Sequence, residues 1–248
     1  MRIFRAELHV HTVLSPCAEV EMIPPLIVQE SLERGIDIIA ITDHNASANV
    51  EAVQKAAVGT PLAVLPGIEV QTREEVHVLC IFDSLHQLCA FQSWIDEHMP
   101  PFENDIEHFG EQFVVDETGE FICREKRLLL TSADVSIEDV FRCAAQNGGL
   151  SIPAHVDRKA FGLIANLGMV PLDLSIDALE ISRHLRPGEV DRKFPQLVGY
   201  PLLQSGDVHR LDEFLGANEF CLEDVTIKEL HLAFKNLDNR SVTIREGC

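Results

Sequence analysis

Short apolar runs rich in β-branched residues alternate along this chain with segments of helical pattern, and that alternation constrains the fold more than any other feature. RIFRAEL, IDIIAIT, PLAVLPGIEV, VHVLCIF, GLSIPA, DALEIS and YPLLQSG read as strands. Between them, PPLIVQESLERG opens on prolines and has Gly35 just past its end, and SANVEAVQKAAV has Ser47 placed as an N-cap. A third helix is expected from Ser84 to about His98. A fourth is expected from Ser136, with Asp139 completing a capping box and Gly148 closing it. Near-continuous apolar strands separated by helices predict an α/β fold, either a parallel sheet covered on both faces or one closed into a barrel.

The 248 residues, 46% of them hydrophobic, suffice for one core, and a single α/β barrel fits that length. We expect one domain over residues 1–248. Residues about 100–132 interrupt the pattern with two prolines, many acids and a hairpin around VVDETGEFIC, and read as an insertion. The segment TIKELHLAFKNLDNRSVTIR adds a helix and a short strand.

A net charge of −20 and the lack of a clustered run of Lys and Arg argue against duplex nucleic acid as a partner, and leave room for a small phosphorylated substrate held by local cations. No apolar run approaches the ~18 residues of a membrane span, and the first residues do not have the pattern of a secretion signal, so no membrane partner and a cytoplasmic location are expected. Seven cysteines without a CxxC spacing, Cys248 among them, suit reduced thiols. The oligomeric state is not written in the sequence.

Polar residues of metal-ligand type stand at or just after almost every predicted strand end: His9 and His11, Asp43 and His44, Glu69, His155, Arg183 and His184, Asp207 and His209. In a parallel barrel these ends converge on one face. Strand residues i and i+2 point to one side, so His9 with His11, and Asp207 with His209, form two-pronged pairs. Imidazoles mixed with carboxylates suit zinc, manganese or iron better than calcium or magnesium. His77 stands at the beginning of its strand and would reach the same face only if that strand ran antiparallel. His86, His98, His108 and His231 are expected to be solvated.

In order, the motifs HVH at His9–His11, TDH ending at His44, GIE ending at Glu69, HVL at His77, PAH ending at His155 and DVH at Asp207–His209 resemble those of the PHP family, named for polymerase and histidinol phosphatase. The resemblance spans residues ~1–212 and implies a distorted (β/α)7 TIM-like barrel holding two to three divalent metal ions (Zn, Mn or Fe). Carried over by position, His9, His11, Glu69 and Asp207 would hold the first ion, Glu69 with His77 and His155 the second, and His44, His209 and Cys17 the third. Cys17 departs from the family's usual His or Asp. The implied activity is phosphoester hydrolysis by a hydroxide bridging two of the ions. Arg158, Arg183 and Arg73 would clamp phosphate, His184 would act as general acid, and Asp43 would orient an imidazole. Two alternatives stand beside this: a metal-dependent amidohydrolase, which usually needs a carboxylated lysine that no strand end supplies here, and a noncatalytic metal- or ligand-binding module.

Overall fold

A computed structural model describes residues 1–245; Cys248 lies outside the described residues. The strands are β1 (Arg2–Val10), β2 (Ile38–Ile41), β3 (Ala63–Gln71), β4 (His77–Ile81), β5 (Phe113–Val115), β6 (Phe121–Arg124), β7 (Leu150–Pro153), β8 (Leu179–Ser182), β9 (Leu202–Ser205), β10 (Asn218–Leu222) and β11 (Ser241–Ile244). The helices are α1 (Pro24–Glu33), α2 (Val50–Ala56), α3 (Leu85–His98), α4 (Ile106–Phe109), α5 (Ile137–Gln146), α6 (Leu163–Leu167), α7 (Val190–Lys193) and α8 (Ile227–Phe234).

A seven-stranded sheet runs β11-β10-β1-β2-β3-β4-β7, and β8 and β9 pair in parallel as a separate ribbon. The ribbon fits between β7 and β1. Val156 N–H donates to the Glu180 carbonyl on one side, at 2.8 Å, and Val208 forms a parallel bridge with Val10 on the other. The strands β1, β2, β3, β4, β7, β8 and β9 thus curl into the distorted barrel that the motifs implied, with β10 and β11 appended to the lower half of β1.

The sheet is mixed, not parallel. The strands β1, β2 and β3 run together, whereas β4 runs against both β3 and β7. The five residues between β3 and β4 are too few for a crossover, so the chain can only turn back. This reversal carries the start of β4, and with it His77, to the face where the other strands end.

Two apolar layers hold the barrel. Ala6, Leu8, Ile38, Ala40, Leu65, Leu79, Ile81, Leu150, Ile152 and Leu203 fill the interior, which α8 plugs with Ile227, Leu230 and Phe234. Ile39, Ile41, Ile68, Val78, Cys80 and Ile181 point outward against the helices, α1 supplying Ile27 and α3 Phe91. The register of β1 on β2 slips between Glu7 and Val10, which lets Leu8 pack in the interior while His9 turns to the same side.

Ser84 caps α3, and Ser136 with Asp139 forms the capping box of α5. The expected Ser47 cap is not formed: α2 begins at Val50 with Asn49 before it and no side-chain cap. The Asn49 amide is used elsewhere. It donates to Thr12 Oγ1 at 2.9 Å and to the Phe113 carbonyl at 3.0 Å, while its oxygen accepts from Val115 N–H at 3.0 Å. These bonds fix the β5–β6 hairpin, which falls where VVDETGEFIC predicted it, against the loop after β1. Among the described residues no helix is long and apolar enough to cross a membrane.

Candidate metal centre

Glu69, near the end of β3, is the hub. Its Oε1 lies 3.2 Å from His9 Nε2, 2.9 Å from His77 Nδ1 and 3.3 Å from His155 Nε2. Its Oε2 lies 2.8 Å from His44 Nδ1 and 3.5 Å from His11 Nε2. Asp207 Oδ1 reaches the same two nitrogens of the HxH pair, 3.2 Å from His9 and 3.3 Å from His11. A second lobe lies farther out: the His209 ring stacks on His11 at 4.1 Å between centroids, and its Nε2 is 3.1 Å from Cys17 Sγ. All nine expected ligand residues therefore belong to one connected cluster, drawn from β1, β3, β4 and the loops after β1, β2, β7 and β9.

The backbone works to present them. His155 and Asp207, each just past a strand end, have φ of 30° and 49°. Such left-handed backbone costs about 1–2 kcal/mol for a residue with a Cβ. It turns the side chain inward at the point where the strand stops.

The donor set suits divalent cations. Neighbouring nitrogens and oxygens around a zinc-sized ion bound at about 2.1 Å lie roughly 3.0–3.5 Å apart, which is the spacing seen between His9 Nε2, His11 Nε2 and the two carboxylates. Among the described residues, buried His77 Nε2 and His155 Nδ1 have no hydrogen-bond partner, and Glu69 Oε2 has none of good geometry although His44 Nδ1 is 2.8 Å away, so each keeps capacity for a ligand. Burial lowers His11, and His209 and His44 add to it, so that imidazole is neutral with a free lone pair. Burial likewise brings His77 down to about 4, against the pull of Glu69.

Burial opposes charge on Glu69, yet His77, His9 and His44 outweigh it and hold the carboxyl well below its ordinary range. For His9 burial is overcome by Glu180, Glu69 and Asp207, which raise it well above the ordinary value. Three carboxylates facing one imidazole draw positive charge to that point. For Cys17, burial would raise the thiol, but His44 and His209 bring it down to about 6, making it a thiolate at neutral pH.

The supporting residues differ from expectation. Asp43 is fully buried, and its hydrogen bonds among the described residues go to Thr12 and Ser15 rather than to an imidazole. It accepts from Thr12 N–H at 2.7 Å, Thr12 Oγ1 at 2.8 Å and Ser15 Oγ at 2.7 Å, and Ser15 Oγ stands 3.0 Å from His11 Nδ1. Asp43 is thus linked to the His11 ring through Ser15. His184 is exposed, and its backbone N–H bonds Ser182 Oγ; the structure does not bring it to the cluster. Arg73 turns away to Asp134. Arg183 binds Glu213 at 2.5 Å, and Glu213 accepts the His209 N–H. Only Arg158 meets a ligand residue directly, pairing with Asp207 Oδ2 at the rim. His231 is not simply solvated, since it pairs with Asp177.

Two buried acids were missed. Glu180 in β8 lies 2.9 Å from His9 Nδ1 and accepts from His155 N–H at 3.1 Å. Glu7 accepts from the N–H groups of Gly206, Leu215 and Gly216, steadying the loop that carries Asp207. A glutamate inside an otherwise apolar strand, as in DALEIS and RAEL, was the available signal.

The PHP domain family matches residues 7–148, more than half of the chain. An uncharacterized protein of Streptococcus pneumoniae is 24% identical over 83 residues, 30% of this chain and 32% of that relative. Endonuclease Q from Pyrococcus furiosus has the same fold with a TM-score of 0.69 at 19% identity, over 97% of this chain and 58% of that one. Endonuclease Q in complex with a 27-mer duplex substrate, an abasic lesion at the active site, gives 0.70 at 20% identity with the same coverage. An amidohydrolase from Chromobacterium violaceum with bound sulfate gives 0.59 at 18% identity, over 97% and 98% of the two chains. A protein of Bifidobacterium adolescentis described as a metal-dependent phosphoesterase gives 0.53 at 17% identity, over 83% and 87%. The chain spans about a third of the pneumococcal relative and less than two thirds of Endonuclease Q.

The exclusion of duplex nucleic acid on grounds of net charge is overturned by Endonuclease Q, which holds a duplex on this fold. Net charge sums the whole surface, whereas a phosphate backbone meets the local field. Here the loops after β7, β8 and β9 place Arg158, Lys159, Arg183, Arg186 and Arg210 around the site's own side of the barrel. At these identities the structural likeness is one of fold, shared with metal-dependent hydrolases. With the family's match running from the strand that bears His9 through Glu69 and His77, this chain belongs to the PHP domain family.

Proposed function

We propose that this protein is a metal-dependent phosphoesterase, and the observation that carries the reading is the convergence of five imidazoles on the single carboxylate of Glu69. His9, His11, Glu69 and Asp207 would hold one divalent cation, Glu69 with His77 and His155 a second, and His44, His209 and Cys17 a third, with zinc, manganese or iron matching the donors. When bound, the cations supply Lewis acidity, lowering the pKa of a water toward neutrality and offsetting charge on phosphoryl oxygens. The chain's own part is to position: Asp43 and Ser15 fix the ring of His11, and Arg158 offers a guanidinium at the rim for a phosphate oxygen. We place residues 100–132 as an accessory insertion in one catalytic domain. The six free cysteines among the described residues support a reducing, cytoplasmic location.

Endonuclease Q's higher TM-score, over nearly all of this chain, supports a phosphodiester of a polynucleotide as a candidate substrate beside small phosphomonoesters. The amidohydrolase reading is weaker: among the described residues no lysine stands at the end of a ligand-bearing strand, and Lys159, in the loop beyond His155, is exposed. The test is metal analysis of purified protein, then turnover of phosphomonoesters, phosphodiesters, a duplex with an abasic site and an amide panel, with manganese or zinc. Metal-dependent release from a phosphoester is expected. Turnover confined to amides, or none despite bound metal, would reject the assignment.

A further inference from the structure

Glu180 is the charged residue of β8, in a strand buried throughout. One of its oxygens serves two ligand residues at once: Oε1 is 2.9 Å from His9 Nδ1 and accepts the His155 N–H at 3.1 Å. The backbone adds to the tie, because the Glu180 carbonyl accepts from Val156 N–H at 2.8 Å. His9 faces Asp207 and His11, His155 lies beside His77, and Glu69 Oε1 stands between the two groups, 3.2 Å from His9 Nε2 and 3.3 Å from His155 Nε2. These are the two inner cation sites of the reading above.

We propose that Glu180 is a positioning residue that couples the two inner cation sites, so that both lose affinity together when its carboxylate is removed. The proposal rests on the metal-binding reading of the cluster. The physical basis is direct. A carboxylate on Nδ1 fixes the His9 ring with Nε2 directed at Glu69 and Asp207, and makes Nε2 a stronger donor to a cation that takes the place of its proton. The same oxygen holds the N–H of His155, whose backbone has a φ of 30°, a conformation the surrounding structure must enforce. If that hold is lost, the His155 ring is free to leave Glu69. Among the described residues Glu180 Oε2 is buried without a partner, and the carboxylate's hydrogen bonds go to the two ligand residues, His9 and His155.

The experiment compares full-length wild type with Glu180→Gln and Glu180→Ala, measuring manganese and zinc binding by calorimetry and chelator competition, and thermal unfolding after chelation. Glu229→Gln, which alters a buried acid paired with Arg240, serves as control. Glu180→Gln is expected to keep the melting temperature of the chelated protein and to weaken both inner sites together by about 10–100-fold, with Glu180→Ala weaker still. Glu229→Gln is expected to shift stability without changing affinity. Wild-type affinity in Glu180→Gln, or weakening of one inner site alone, would overturn the coupling. Should Glu180→Ala not fold, the glutamine variant decides. A wild type that binds no divalent cation would instead remove the reading of the whole cluster, and the coupling with it.

Discussion

Cys17 Sγ lies 3.1 Å from His209 Nε2, and the two imidazoles at its side bring its thiol down to about 6 although burial opposes this. The thiolate therefore dominates above about pH 6 and the thiol below it. In chelated protein, alkylation of Cys17 by iodoacetamide is expected to rise with pH and reach half its plateau near pH 6, and zinc is expected to slow it. Burial pushes Cys80 upward, so that residue stays unmodified until the chain unfolds. Peptide mapping after timed alkylation checks both, and a Cys17 rate that climbs only above pH 8 would remove the role of the histidines.

Substitution of His9 or Asp207 by Ala removes a ligand atom from the most crowded part of the cluster. Each variant is expected to lose at least about two orders of magnitude in kcat/KM, or some 3 kcal/mol of transition-state stabilisation, with at least one cation equivalent lost. Asp207→Ala also releases Arg158. Steady-state kinetics with elemental analysis reads the outcome.

Ser15 joins Asp43 to His11, so Ser15→Ala should free the His11 ring while Asp43 keeps its two bonds from Thr12. About tenfold weaker metal binding is expected, with about 1 kcal/mol of stability lost because the buried His44 N–H also donates to Ser15 Oγ at 3.2 Å. Asp43→Ala leaves buried Thr12 donors unpaired and should cost about 1–3 kcal/mol in urea unfolding. Equal effects of the two variants on metal affinity and stability would contradict a relay through the hydroxyl.

Burial raises Glu7 to about 7; the N–H groups of Gly206, Gly216 and Leu215 oppose the rise and Glu180 adds to it. A carboxyl raised in the folded state contributes stability fully present below its unfolded value of about 4.5, and that contribution fades as pH rises through about 7. The loss between pH 5 and 8 amounts to roughly 3 kcal/mol in chelated protein. Glu7→Gln should flatten this slope in thermal or urea unfolding, and an unchanged slope would show that Glu7 stays ionised.

A Cβ on Gly206 would sit 2.2 Å from the Glu213 carbonyl oxygen. Gly206→Ala must therefore displace the loop that carries Asp207 and His209. A drop in melting temperature and loss of metal binding are expected together.

Much of this centre could be read from residue order alone, because strand-end ligands follow a simple rule of parallel sheets: His9, His11, His44, Glu69, His155, Asp207 and His209 needed only the positions where apolar runs stop. His77 required a reversed strand, and the five-residue link after Gln71 enforces it. What could not be read were partners set by side-chain reach. Asp43 adjoins His44 in sequence but serves His11, across a serine 28 residues away. Arg73 follows a ligand strand yet finds a nearer acid in Asp134. Glu180 and Glu7 lay hidden because an acid in an apolar strand does not announce what it holds.

Val208 bridges β9 to β1, accepting from His11 N–H at 2.9 Å and donating to the His9 carbonyl at 3.0 Å. The seam that this bridge stitches runs between the HxH pair on one lip and Asp207 with His209 on the other. A cation gripped from both lips would act as a rivet through the barrel wall, fastening two staves whose backbones meet in an isolated bridge. Chelators would then do more than silence chemistry: they would let the wall breathe at that joint, and amide exchange at His11 and Val208 would be the first to quicken.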